Sequence, residues 1–383
     1  MKPAIVSRLP DVGTTIFTVM SQKAEQYGAL NLSQGFPDFP LPPALAEALA
    51  RSVAAGHNQY APMAGLPRLR ECIAADLEQH FGCRADPLAE VTVVPGATEA
   101  IFCAIMASVR AGDEVILFDP SYDSYEPSVR LAGARAVRIP LAQPDFTIDW
   151  QRVEAAIGPR TRLVVINSPH NPSGSVLARK DLDRLGELAE QHDLLVLSDE
   201  VYAHLVYDGA RHHSVLAHPL LAPRSFAVFS FGKTYHVTGW KTGYCVAPAP
   251  LTTELRRVHQ FVTFTAVTPI QHALADFMQS DPQHVAALPA FYQARRDLFC
   301  QALAGSRWKL APSAGTYFQL LDYAAISDVD DLGMAERLVS RHGIAAIPVS
   351  VFYEQPPARG LLRFCFAKQE QTLLRAAEVL CTI

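Results

Sequence analysis

A series of short apolar runs alternates along the chain with stretches of helical periodicity: Val91–Val94, Val115–Phe118, Leu163–Ile166, Leu194–Leu197, Phe226–Phe229 and Tyr244–Ala247. Several are rich in β-branched residues and lack polar alternation, as strands buried on both faces of a mostly parallel sheet do. Between them, Glu99–Val109 and Leu182–Glu190 carry apolar residues at three- and four-residue steps. The alternation predicts an α/β fold, a mostly parallel sheet flanked by helices. The ends read differently. Phe36–Pro43 (Phe-Pro-Asp-Phe-Pro-Leu-Pro-Pro) is a loop that interrupts helix or strand. Beyond about residue 285 the order becomes helix, short strand, helix, strand, helix, an α+β arrangement. We therefore expect a large domain over residues 46–284 and a smaller α+β domain built from both termini, residues 1–45 and 285–383.

With 49% hydrophobic and 19% charged residues in 383, the composition is that of a globular chain with a sizeable core. A net charge of -5 gives no footprint for nucleic acid or an anionic membrane. No apolar run approaches the roughly 18 residues that would span a bilayer. Met1–Arg8 lacks the apolar core of a signal peptide, so a cytoplasmic enzyme is the expectation. The cysteines (72, 83, 103, 245, 300, 365 and 381) are scattered and form no C-x-x-C, which indicates neither a disulfide framework nor a zinc site. Arg211-His212-His213 with His218 has no matching Cys or carboxylate motif, and no metal is expected.

Ligands of open α/β sheets bind beyond the carboxyl ends of the strands, and the unusual residues of this chain gather there. Pro95-Gly96-Ala97-Thr98 follows the first run and precedes a helix: a tight turn, or a cradle of N–H groups for a phosphate. Tyr122, after the second run, is packing or a ring that stacks on a flat ligand. Asn167-Ser168-Pro169-His170-Asn171-Pro172-Ser173-Gly174 is a rigid turn after the third. Asp199, at the end of the fourth, is a solvated turn residue or a buried acid in need of a positive partner. The fifth runs into Ser230-Phe231-Gly232-Lys233, where the lysine points to water or is buried and reactive.

Ser230-Phe231-Gly232-Lys233 with Gly239-Trp240-Lys241 resembles the lysine signature of fold-type I aminotransferases that use pyridoxal 5′-phosphate (PLP). More narrowly it resembles the branch of kynurenine, glutamine and methionine aminotransferases. Asn31–Asp38, Asn58-Gln59-Tyr60, Gly96–Ala100, Asn171–Gly174, Ser198–Tyr202, Gly315–Phe318 and Arg363–Phe366 match in order, over nearly the whole chain. Lys241 stands where many relatives carry arginine, and Tyr122 where other branches carry tryptophan or phenylalanine.

The resemblance implies roles that the chemistry of PLP requires. Lys233 would hold the cofactor covalently, then carry the proton as base and acid. Asp199 would keep the pyridine nitrogen protonated, with Tyr202 and Asn171 donating to the ring oxygen. A helix beginning at Asp199 would put Tyr202 on the same side. Gly96, Ala97, Thr98, Ser230 and Lys241 would hold the phosphate, and Tyr60 would reach it from the other subunit of a homodimer. Tyr122 would stack on the ring, and Asn167 would lie behind it. Arg363 would grip the substrate carboxylate, with Asn171 and the Gly35 backbone assisting. Phe17, Tyr122, Phe264 and Phe352 are the expected side-chain pocket. They point to methionine or an aromatic or related amino acid as donor and a 2-oxoacid as acceptor.

Three other readings compete. Ser230-x-x-Lys233 and Lys241-Thr242-Gly243 spell two elements of penicillin-binding enzymes, but they stand too close together and no S-D-N lies between. A non-catalytic PLP-sensing regulator would carry a DNA-binding domain ahead of the first matched segment. A cysteine-conjugate β-lyase or a kynurenine aminotransferase would share most of these residues.

Overall fold

A computed structural model describes residues 5–357 and 360–383; Met1–Ala4, part of the leader reading, lie outside the described residues. Its centre is a seven-stranded sheet: β1 (Val91–Val94), β2 (Glu114–Asp119), β3 (Arg135–Pro140), β4 (Thr161–Asn167), β5 (Leu195–Asp199), β6 (Ser225–Ser230) and β7 (Gly243–Val246). The order is β1-β7-β6-β5-β4-β2-β3, and β7 alone runs against the others. β1 and β2 are buried at every residue, as a sheet covered on both faces demands. One cover is the helix α1 (Ala97–Ser108), whose Ala100, Ile101, Ala104 and Ile105 share an apolar cluster with Val115, Leu117 and Val228.

β3 has no counterpart among the apolar runs. It is an edge strand only partly buried, and its arginines break the pattern. Arg138 pairs with Asp119 at 2.6 Å and Glu126 at 2.7 Å, so the edge carries charge, which discourages pairing with another chain.

A second apolar cluster joins Met20, Ala24 and Leu32 to Tyr292, Phe299, Leu338, Phe364 and Leu380. Beside it lies a three-stranded antiparallel sheet of β8 (Phe318–Asp322), β9 (Ile347–Pro348) and β10 (Leu361–Cys365), with β10 in the middle. Leu30–Asn31 pairs in parallel with Ile344–Ala345, tying the first part of the chain to the last. All seven cysteines are free thiols, five of them buried. Among the described residues no helix is long and apolar enough to cross a membrane.

Candidate active site

A cavity of about 300 Å³ opens at the carboxyl ends of β4, β5 and β6, roofed by residues of both chain ends. It is lined by Phe17, Gly35, Gly96, Ala97, Thr98, Tyr122, Asn167, Asn171, Asp199, Tyr202, Ser230, Lys233, Lys241 and Arg363. The fold thus gathers the site residues named from the sequence except Phe264, Phe352 and Tyr60; the Tyr60 side chain lies on the surface, 83% exposed, edge-on to Phe264.

At one end is the start of α1. Its first amides have no carbonyl partner within the helix, and its dipole adds positive potential. Gly96 approaches with φ +85°, and a Cβ there would come within 3.3 Å of Lys241 Nζ. Two free amides, the Ser230 hydroxyl at the end of β6 and the Lys241 ammonium therefore face one small space. That donor set fits a phosphate.

On the floor, Asp199 ends β5 and is buried. Tyr125 donates to its Oδ2 at 2.6 Å and the Val201 amide to its Oδ1 at 3.3 Å. Burial pushes the carboxyl up to about 6 against those hydrogen bonds. A cationic N–H placed here would remove that penalty. The chain after Asp199 is not a helix but a succession of turns, so Tyr202 reaches the cavity by a different path from the one expected. Its ring stands edge-on to Tyr317 at 5.1 Å. Asn167 is a brace: Oδ1 accepts from the Asn171 amide at 2.8 Å and Nδ2 donates to Asp199 O at 2.9 Å.

Lys233 sits on a single helical turn, Phe231–Thr234, directly after β6. Burial lowers its ammonium to about 8, so about a tenth is free amine at pH 7, far more than for a lysine in water. Its Nζ rests 3.4 Å from Gly35 O. Gly35 lets the backbone lie against the Phe318 ring, since a Cβ there would come within 2.7 Å of Phe318 Cζ.

At the other end is Arg363 of β10, 1% exposed. Nη1 donates to Asn171 Oδ1 at 2.7 Å and Nη2 to Ser33 O at 2.8 Å, while Nε is buried without a partner among the described residues. The guanidinium lies 3.9 Å from the Phe318 ring and 5.0 Å from that of Phe17. A buried cation with only neutral hydrogen-bond partners is a receptor for an anion such as a carboxylate.

Tyr125 was not assigned a role from the sequence. It lies three residues beyond Tyr122, and only the sheet order, with β4 between β2 and β5, reveals that its hydroxyl meets Asp199. Phe352 does not line the cavity; it is buried behind Phe17, with ring centroids 5.7 Å apart. Phe264 lies with Tyr60 on the surface. The histidines with metal-like spacing diverge, His212 meeting Glu200 at 2.7 Å and His218 meeting Asp183 at 3.0 Å. Glu99, Cys103 and His259 bring ligand-type atoms within 4.8 Å of one another. Both His259 nitrogens are already engaged, Nδ1 by Glu99 at 2.7 Å and Nε2 by Met63 O at 3.1 Å.

The sequence profile of the family "Aminotransferase class I and II" matches residues 27–380. The chain belongs to that family. Among other aminotransferases, it is 53% identical to methionine aminotransferase of Escherichia coli (strain K12), over 97% of this chain and 96% of that one. It is 33% identical to kynurenine–oxoglutarate transaminase 1 of Homo sapiens, over 91% of each. The crystal structure of YbdL from Escherichia coli, reported with a methionine aminotransferase function, superposes with a TM-score of 0.97 at 52% identity over all of both chains. Aspartate aminotransferase of Thermus thermophilus with maleate gives a TM-score of 0.91 at 31% identity over 99% of each.

Proposed function

We propose that this aminotransferase uses pyridoxal 5′-phosphate, held on Lys233, to move the α-amino group of methionine or an aromatic or related amino acid to a 2-oxoacid. The observation that carries the proposal is one cavity with a buried lysine of lowered pKa, a buried carboxylate and two anion receptors at opposite ends. When bound, PLP supplies an aldehyde that takes up an amine and a ring that accepts the electron pair left on the substrate carbon. The chain's residues do the rest. Ala97 and Thr98 amides, Ser230 and Lys241 anchor the phosphate, with Gly96 giving the backbone its approach. Asp199, oriented by Tyr125, holds a proton on the ring nitrogen. Tyr202 and Asn171 Nδ2 donate to the ring oxygen, and Tyr122 covers one face. Arg363 and Asn171 fix the substrate carboxylate, leaving Lys233 Nζ free to take the proton from the substrate carbon and return it. A spectrum of the pure protein tests this: a yellow band should bleach with methionine and return with a 2-oxoacid. No band after PLP is added would overturn it.

Substrate selectivity rests on the walls. Phe17, Phe36, Ile101 and Phe318 are apolar, and Arg363 is the one guanidinium lining the cavity among the described residues. A second carboxylate on the substrate would lack a partner, at a cost of a few kcal/mol. The similarity to methionine aminotransferase supports the same preference. Specificity constants over a panel of amino acids with a common acceptor should rank methionine above aspartate; the reverse ranking defeats this choice and leaves transamination standing.

The homodimer is part of the proposal, as is the division into residues 46–284 and the two termini. An exposed Tyr60 amid exposed Phe261, Val262, Phe264 and Val267 supports the first. The cluster uniting Met20 and Leu32 with Phe364 and Leu380 supports the second. Mixing inactive Tyr60→Ala and Lys233→Ala chains should restore part of the activity, because each hybrid dimer would hold one site intact for both residues. If Tyr60 serves its own subunit, no rescue occurs.

A further inference from the structure

The segment Ser33–Phe36 crosses the cavity with its carbonyls held by side chains from the rest of the chain. Arg363 holds Ser33 O at 2.8 Å, Tyr317 holds Gly35 O at 2.6 Å, and Lys368 Nζ holds Phe36 O at 2.9 Å. The first two belong to the site already described. Lys368 does not: it lies outside the cavity lining, three residues beyond β10, and is only 2% exposed.

Burying an ammonium against a neutral carbonyl is costly unless something further favours the charge. Here its Nζ also stands 4.4 Å from the centroid of the Phe36 ring, which places the cation over the ring's negative face. One group thus fixes both the backbone and the ring of a single residue. The next residues of the two segments are fastened as well. The Gln369 amide donates to Asp38 Oδ1 at 2.5 Å, and Thr372 Oγ1 donates to Asp38 Oδ2 at 2.8 Å. The strap is therefore anchored from Phe36 to Asp38, and Lys368 decides how its inner end lies.

Phe36 lines the cavity and keeps 36% of its surface exposed, so the ring forms a wall near the mouth. It is the neighbour of Gly35, whose carbonyl Lys233 Nζ reaches. On the functional reading above, an amino acid held at Arg363 with a long side chain would bring it toward this wall of the same cavity, and a methyl group would stop short of it.

We infer that Lys368 is a positioning residue that sets the preference for long amino-acid side chains by holding Phe36 in place. The inference rests on the functional reading above. It predicts a split between KM and kcat and between substrates, which a merely structural lysine would not produce.

The test measures steady-state constants for methionine and alanine with one 2-oxoacid, using PLP-loaded wild type, Lys368→Met and Lys368→Arg. Lys368→Met should raise KM for methionine about tenfold, with kcat and the alanine KM changed less than about twofold. Lys368→Arg keeps the cation and a donor and should keep most of the wild-type ratio. Equal losses on both amino acids, or an unchanged ratio, would overturn the inference. Should thermal unfolding show that Lys368→Met does not fold, Phe36→Ala carries the test. With Lys368 in place it should lose the same preference, and an unchanged methionine-to-alanine ratio overturns the inference. A wild type inactive on both amino acids would instead overturn the functional reading.

Discussion

Replacing Lys233 with alanine is expected to abolish covalent retention of PLP and to slow transamination about ten-thousand-fold or more. The size of the effect follows from two duties carried by one nitrogen, holding the cofactor and moving the proton. Among the described residues the geometry offers no substitute. Lys241, the other lysine lining the cavity, stands at the phosphate cradle beside Gly96, and Lys368 is committed to Phe36. Burial supplies the reactivity, since an ammonium lowered to about 8 gives up its proton far more readily than one in water. Borohydride reduction of the wild type followed by peptide mapping should put the label on Lys233. A label on any other lysine would overturn the assignment, as would a Lys233→Ala protein that borohydride reduction still labels.

The Asp199→Ala variant should lose about a hundred- to a thousand-fold in the single-turnover rate while still attaching PLP to Lys233. The cause is electrostatic. A buried carboxylate facing a ring nitrogen keeps a proton there, and a protonated ring stabilises negative charge developing nearby. The site is built for that pairing, because burial pushes Asp199 up to about 6 even with Tyr125 donating to it and the Lys233 charge favouring the ionised form. Removing the carboxylate leaves Lys233, the cradle and Arg363 in place, so the loss should fall on the chemical step and spare covalent attachment. Single-turnover kinetics with methionine separate these, and a near-normal rate would remove Asp199 from this role.

The parts of the site that the residues themselves point to share one property: each follows a strand that burial makes apolar and therefore visible, whereas Arg363 and Gly35 were reached only through the family resemblance. Asp199 and Ser230 are the last residues of β5 and β6, and Ala97 and Thr98 begin the helix that follows β1. Residues that enter the site by packing left no such mark. Tyr125 lies 74 positions before the aspartate it orients. β3 escaped notice because an edge strand with two arginines has no apolar run. The turns after Asp199 defeat a helical expectation because the residues that follow β5 fold directly against Tyr317 and Phe318. Phe352 was placed one layer too far in, since aromatic character alone does not distinguish a wall from what supports it.

The pairing of Leu30–Asn31 with Ile344–Ala345 bears on how the protein comes to be made. Synthesis proceeds from the amino end, so this segment emerges about 300 residues before its partner strand exists. At about 5–20 residues per second it waits between a quarter of a minute and a minute. During that wait Ser33 and Gly35 have neither Arg363 nor Tyr317 to hold them, while the strands that present Asp199 and Lys233 are already available to pair. A ribosome-bound chain can therefore own the floor of the cavity long before it owns the roof. Activity on the nascent chain should appear only once residues through 368 have cleared the exit tunnel.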